Sequence, residues 1–192
     1  MDIKLFNPTP IAKVQVDRDT INKIDQLSVS LFSKSSITED YPETNTTLTL
    51  RGGEQRRVLP EEWLVNWIET QAREFQLKSE VWPTNLIPKL ANCWTIAQPE
   101  HSYQVTHTHP HGSISGNLYL EIPEFKDNSP ATDGCISFQL NPPSVDMTKF
   151  IHIKPTVGCM LIFPSWLPHQ VYPWQGAGMR RVLAWDCQLL PQ

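Results

Sequence analysis

The stretch His107-Thr108-His109-Pro110-His111-Gly112-Ser113-Ile114-Ser115-Gly116-Asn117-Leu118-Tyr119-Leu120-Glu121-Ile122 decides how this chain is read. It places three of the six histidines within five residues and then runs into a strand-like segment, 114–122. A fourth histidine closes a second short segment, Phe163-Pro164-Ser165-Trp166-Leu167-Pro168-His169. Imidazole is the commonest protein ligand for iron, copper, nickel and zinc. Two histidines at i and i+2 on a strand end fall on one side of a sheet, because side chains alternate with period two. A third from a distant strand then completes one triangular face of a metal. Such a face leaves positions open for substrate, which is the geometry of catalysis and not of a closed structural site.

Outward from that stretch, strands are expected over 90–96, 135–140, 150–153, 160–163, 169–172 and 181–189. Asp133-Gly134, Gly158 and Gly176-Ala177-Gly178 supply turns between them. Seven or eight short strands at this spacing predict a double-sheet jelly roll, an all-β core with flanking helices. Upstream, residues 1–16 read as an opening strand pair. Asp17 or Asp19 caps a helix whose apolar positions Ile21, Ile24, Leu27 and Leu31 recur at helical steps. Residues 34–57 read as an irregular connection. Pro60 is expected in the first turn of a second helix, which carries Trp63, Leu64, Trp67, Ile68 and Phe75 and ends near Lys78. Both helices are expected on one sheet. The reading is a single domain over 1–192, with a helical and irregular part over 1–82 and the jelly-roll core over 83–192.

Composition bounds the function. Hydrophobic residues make up 40% of 192, enough for a sizeable core, and the net charge of −4 with no basic block argues against nucleic acid. No apolar run is long enough for a membrane span. The expectation is a soluble, cytoplasmic protein. Cys93, Cys135, Cys159 and Cys187 are scattered singly and read as reduced, buried thiols.

Several segments in order resemble the Fe(II)/2-oxoglutarate-dependent oxygenase superfamily, and more narrowly a group of small oxygenases with a recurring pattern. They are His107-Thr108-His109-Pro110, Ser115-Gly116, Tyr119-Leu120, Gly134-Cys135-Ile136-Ser137-Phe138, the segment 163–169, and Arg180 to Asp186. The resemblance spans roughly 90–188. It implies a double-stranded β-helix, jelly-roll or cupin-like, and the cofactor Fe(II) with 2-oxoglutarate as cosubstrate. It also implies a hydroxylase that couples decarboxylation of 2-oxoglutarate to oxidation of a small molecule or peptide side chain by molecular oxygen. A homodimer is left open.

The superfamily holds iron with His-x-Asp/Glu and a distal His. Carried over by position, His107 and His169 are ligands, and His109 stands where the carboxylate would be. Three neutral imidazoles leave the whole charge on Fe(II), where a carboxylate ligand would lower it to about +1 by charge counting. His109 fills the position that halogenating members leave vacant, which disfavours halogenation. His111 in place of His107 is the alternative registration. Arg180 is the candidate for the distal carboxylate of 2-oxoglutarate, because a guanidinium offers two parallel donors in one plane. It is expected on a strand neighbouring that of His169, across the 176–178 turn. By alternation Val182 and Ala184 share its face. The superfamily often has a serine two residues beyond this arginine; Val182 stands there instead. Tyr119 is the candidate to supply the missing hydrogen bond, with Asn117 and, more weakly, Asn92 lining the pocket. Trp166 and Trp174 are expected to wall the site. Two other readings compete: a three-histidine cupin-type dioxygenase that does without 2-oxoglutarate, and a non-catalytic jelly-roll binding module.

Overall fold

The computed structural model describes residues 9–33, 49–140 and 149–192. The N-terminal part is β1 (Ala12–Gln15), α1 (Arg18–Phe32), β2 (Leu50–Arg51), β3 (Glu54–Arg57) and α2 (Glu62–Ser79). There follow β4 (Leu86–Gln98), β5 (Tyr103–His107), β6 (Ile114–Glu121), β7 (Glu124–Phe125), β8 (Ile136–Gln139) and β9 (Phe150–Ile153). The C-terminal part is β10 (Cys159–Pro164), β11 (His169–Val171), β12 (Gly176–Ala177) and β13 (Arg180–Pro191). One sheet runs β1-β10-β6-β13-β4-β3 and the other β2-β5-β11-β8-β9, with every pairing antiparallel. This is the double-sheet jelly roll that the strand spacing predicts.

Alternation along β13 separates two cores. Leu183, Trp185 and Cys187 face the helices and share a core with Ile21, Ile24, Leu64, Ile68 and Phe75. Val182 faces the other way, into the space between the sheets, with Tyr119, Phe138, Leu161 and Phe163. Both helices therefore cover the outer face of the larger sheet. The first starts at Asp17, whose carboxylate accepts from the Thr20 backbone N–H at 2.9 Å. Its buried side includes Ser28, bonded to Thr95 of β4 at 2.6 Å, and this satisfies two hydroxyls inside an apolar layer. In the second helix the N-cap is Glu61, so Pro60 lies just outside the helix and not in its first turn. The buried residues Leu64, Ile68, Ala72 and Phe75 form its stripe, while Trp63 and Trp67 are only partly buried beside it.

Three sequence expectations change. Residues 50–57 hold two strands, one added to each sheet through pairing with β4 and β5, whereas 34–48 and the first half of the opening strand pair lie outside the described residues. The strand β5 was not expected at all. Finally, His169 and Arg180 do not sit on neighbouring strands: β11 belongs to the smaller sheet and β13 to the larger. The reason is the segment between them. Gly176 and Ala177 pair with Phe125 and Glu124 instead of closing a tight hairpin, and this detour carries the chain from one sheet to the other. At Gly176 (φ +151°) any Cβ would overlap the Glu124 carbonyl, so the detour requires glycine.

Gly116 of β6 makes a second close approach. A Cβ there would overlap the buried indole of Trp185, which occupies the space a side chain would fill. Gly116→Val is expected to cost about 1–3 kcal/mol or more by overpacking, read as a lowered urea midpoint at unchanged m-value.

Candidate active site

His107 ends β5 and faces His169, the first residue of β11, as its direct register partner. Their ring centroids lie 4.3 Å apart. His109 falls just beyond the strand but remains on the same side, 5.2 Å from His107 and 5.1 Å from His169. Its position is fixed by the backbone: its N–H donates to the Ser165 carbonyl at 2.8 Å, and its own carbonyl accepts from Gly112 at 3.1 Å. The 108–113 turn is thereby clamped to the turn that precedes His169. Ring nitrogens of the three histidines all lie within 4.8 Å of one another.

Each ring has one nitrogen engaged. Nδ1 of His107 bonds the Val105 carbonyl at 2.8 Å, and Nδ1 of His169 bonds the Leu167 carbonyl at 2.9 Å. A carbonyl only accepts, so both Nδ1 atoms carry the proton and both Nε2 lone pairs are left for another partner. Nδ1 of His109 bonds the Asp186 carboxylate at 2.6 Å, and its buried Nε2 has no partner among the described residues. Burial pushes His107 down to about 4, and burial followed by the neighbouring imidazoles holds His169 well below the usual histidine range. The neutral form is the one that binds metal. Three ring nitrogens oriented around one point fit a divalent transition metal.

These depressed values have a consequence for the metal-free protein. The unfolded chain takes up protons on these rings near pH 6.5, whereas the folded chain does not until about pH 4 at His107. Stability is therefore full above pH 6.5 and falls as the pH drops toward 4. Thermal melts across that interval are expected to show the loss in wild type and a smaller loss in His107→Gln.

Arg180 is 1% exposed and faces the same cavity. Its Nε and Nη2 donate to Gln98 Oε1 at 3.0 and 2.5 Å, and its Nη1 donates to the Gly134 carbonyl at 2.9 Å. A guanidinium has five N–H donors, so two stay available. All these acceptors are neutral. Burial lowers Arg180 to about 10, which leaves it charged at neutral pH, and burial pushes the nearby Tyr119 up to about 12, so it keeps its hydroxyl proton. A buried cation held only by neutral acceptors fits an anionic ligand.

The larger sheet forms the floor in rungs. Trp94, Ala184 and Asn117 are register partners across β4, β13 and β6; Ile96, Val182 and Tyr119 form the next rung, and Gln98 with Arg180 the last. All line the cavity with the three histidines. Asn117 Oδ1 and Gln98 Nε2 are buried there without partners among the described residues, one acceptor and one donor.

The structure thus gathers His107, His109, His169, Arg180, Tyr119 and Asn117 around one cavity. It leaves out His111, which is exposed and offers only its backbone carbonyl to Gln188. Asn92 is exposed. Neither tryptophan walls the cavity: Trp166 is 53% exposed, and Trp174 is buried against Phe125. Sequence reading passed over Trp94, Gln98 and Asp186. For Asp186 a signal was available, since counting by twos along 180, 182, 184 and 186 puts it on the cavity side.

Residues 92–186 match the family model described as "Putative 2OG-Fe(II) oxygenase". Over these residues the chain is similar to the 2OG-Fe(II) oxygenases. This family uses Fe(II) and 2-oxoglutarate, and both fit the donors just described. Solved structures agree on the fold. A Pseudomonas putida prolyl-4-hydroxylase is 15% identical with a TM-score of 0.66, covering 94% of this chain and 93% of its own. The viral collagen prolyl hydroxylase from Paramecium Bursaria Chlorella virus-1, in a 2OG complex, is 13% identical with a TM-score of 0.59, covering 93% and 96%. The prolyl hydroxylase from Trichoplax adhaerens, in complex with a hypoxia inducible factor peptide fragment, is 14% identical with a TM-score of 0.62, covering 92% and 82%. Among curated proteins none is similar enough in sequence to match. No helix among the described residues is long and apolar enough to cross a membrane.

Proposed function

We propose that the protein is a hydroxylase acting on a small molecule or a peptide side chain, with Fe(II) held by His107, His109 and His169 and 2-oxoglutarate anchored by Arg180. One observation carries this reading: three imidazoles whose Nε2 atoms have no partner among the described residues, and a buried arginine with no anionic partner among them, share one cavity. The bound metal and cosubstrate would supply the oxidant, one oxygen atom of dioxygen ending in succinate and the other in product.

The residues do the rest. Arg180 would take the distal carboxylate in its two remaining N–H donors, and Tyr119 stands on the neighbouring rung with a hydroxyl to offer. Val182 and Ala184 keep the floor low between Arg180 and the histidines. Trp94, tilted against His109 at 5.6 Å, and Ile96 provide an apolar wall that limits water. The prolyl hydroxylase likenesses and the peptide-bound relative make a peptide side chain a natural first substrate class to try. Both helices share a core with the larger sheet, which supports reading residues 1–192 as one domain.

The test is succinate release in the presence of Fe(II), oxygen and 2-oxoglutarate, first alone and then with proline-containing peptide pools. Slow succinate formation that a peptide accelerates supports the reading. Succinate at the level of free iron under every condition contradicts it.

A further inference from the structure

Asp186 is 4% exposed, and the one ion pair it makes among the described residues is to His109. Its Oδ1 accepts from His109 Nδ1 at 2.6 Å and from the Ser115 hydroxyl, also at 2.6 Å. Ser115 is bonded in turn to the Ser165 hydroxyl at 2.8 Å. Ser165 is the same residue whose carbonyl holds the His109 backbone N–H. Gly112 leaves room for that hydroxyl, since a Cβ at 112 would lie 2.6 Å from Ser165 Oγ. His109 is therefore tied to one assembly by its backbone and by its ring. His107 and His169 each have only a neutral carbonyl behind the ring.

We infer that Asp186 is the outer carboxylate of the metal centre, fixing the His109 ring and returning to the site the negative charge lost when histidine stands in place of the superfamily's carboxylate ligand. The inference rests on the metal site proposed above. A carboxylate behind a ligating imidazole fixes the tautomer, aims Nε2 outward and raises the basicity of the ring. It also answers the charge count made from the sequence: imidazole ligands bring no charge to a metal, but a buried carboxylate stands one ring away from the metal position. The superfamily's Asp or Glu has in effect moved from the ligand set to the position behind it. Asp186 is a positioning residue, because it would act on the metal only through His109.

This arrangement predicts an unusual reversal. At position 109 the superfamily's own residue, aspartate, would set a second carboxylate against Asp186. His109→Asp should therefore bind metal more weakly than wild type, although it restores the usual ligand set. Adding Asp186→Asn should then improve binding. In the wild-type background the same Asp186→Asn change should impair it.

The experiment is an anaerobic titration with Co(II) alone, followed by the visible absorbance of the bound ion, on wild type, Asp186→Asn, His109→Asp and the double variant. Circular dichroism of each metal-free protein checks the fold. The expected result is a loss of about 10- to 100-fold in affinity for Asp186→Asn, with a shifted Co(II) spectrum. His109→Asp is also expected to weaken binding, and the double variant to bind more tightly than His109→Asp. If Asp186→Asn fails to fold, His109→Asp still decides: binding as tight as wild type or tighter overturns the inference. So does an Asp186→Asn variant within twofold of wild type, or one whose loss is undiminished in the His109→Asp background. Absence of Co(II) binding by wild type itself is a different failure and would sink the metal site.

Discussion

Arg180→Met is expected to weaken 2-oxoglutarate binding by about 2–5 kcal/mol, roughly 30-fold to a few thousand-fold, while metal affinity stays the same. The magnitude follows from the removal of a buried, two-donor, charge-assisted contact to a carboxylate, with the carboxylate left in a dry cavity. Arg180→Lys keeps a charge but not the fork, and should recover only part of the loss. The variant should not unfold. Arg180 is buried with no anionic partner among the described residues, and replacing such a charge with an apolar side chain of similar length removes a desolvation cost along with its three hydrogen bonds. Calorimetric titration of the Mn(II)-loaded protein with 2-oxoglutarate measures the effect, and a thermal melt checks the fold. Unchanged affinity would mean that the cosubstrate is anchored elsewhere.

His169→Ala is expected to abolish turnover and to reduce metal affinity by more than the 10- to 100-fold typical of losing a residue behind the ligands. His169 is the most deeply buried of the three rings, and its imidazole completes the triangle with His107 and His109. The variant carries a second, opposite effect. His169 is held neutral by burial, so folding at acid pH excludes a proton that the unfolded chain binds. Removing the ring removes that penalty. Metal-free His169→Ala should therefore lose less stability than wild type between neutral and acid pH, even as it loses function. Inductively coupled plasma analysis of iron content, paired with melts at several pH values, separates the two effects. A variant that retains iron and activity would take His169 out of the ligand set.

How far the sequence carried depends on whether the information was local. Period-two alternation placed Arg180, Val182 and Ala184 on the cavity side of β13 and Leu183 and Trp185 on the helix side, because a strand packed on both faces between different layers still alternates. The three histidines were legible for a similar reason: two are close in sequence, and the third sits in a compact Pro-bounded segment of its own. The strand β5 was not legible. Tyr103 and Val105 alternate with Gln104 and Thr106, but the apolar pair is the exposed one while Gln104 and His107 line the cavity, and the register shifts opposite His169 and Val171, which breaks the period. Nor could alternation say which sheet a strand joins. Gly176-Ala177-Gly178 reads as an ordinary glycine turn, and only the pairing of Gly176 and Ala177 with the distant Glu124–Phe125 pair sends the chain across. Asp186 lay on a face already counted, but a carboxylate there carries no local mark of purpose. Its role depends on His109, a residue 77 positions away in sequence.

The most direct test of iron and 2-oxoglutarate sharing this cavity is an anaerobic titration of the protein with Fe(II) and then 2-oxoglutarate, followed by visible absorbance. A weak charge-transfer band is expected only when both are present, and it should require more 2-oxoglutarate in Arg180→Met and vanish in His169→Ala. Protein that binds Fe(II) but develops no band at saturating 2-oxoglutarate would contradict the assignment and point to a three-histidine centre that works without this cosubstrate.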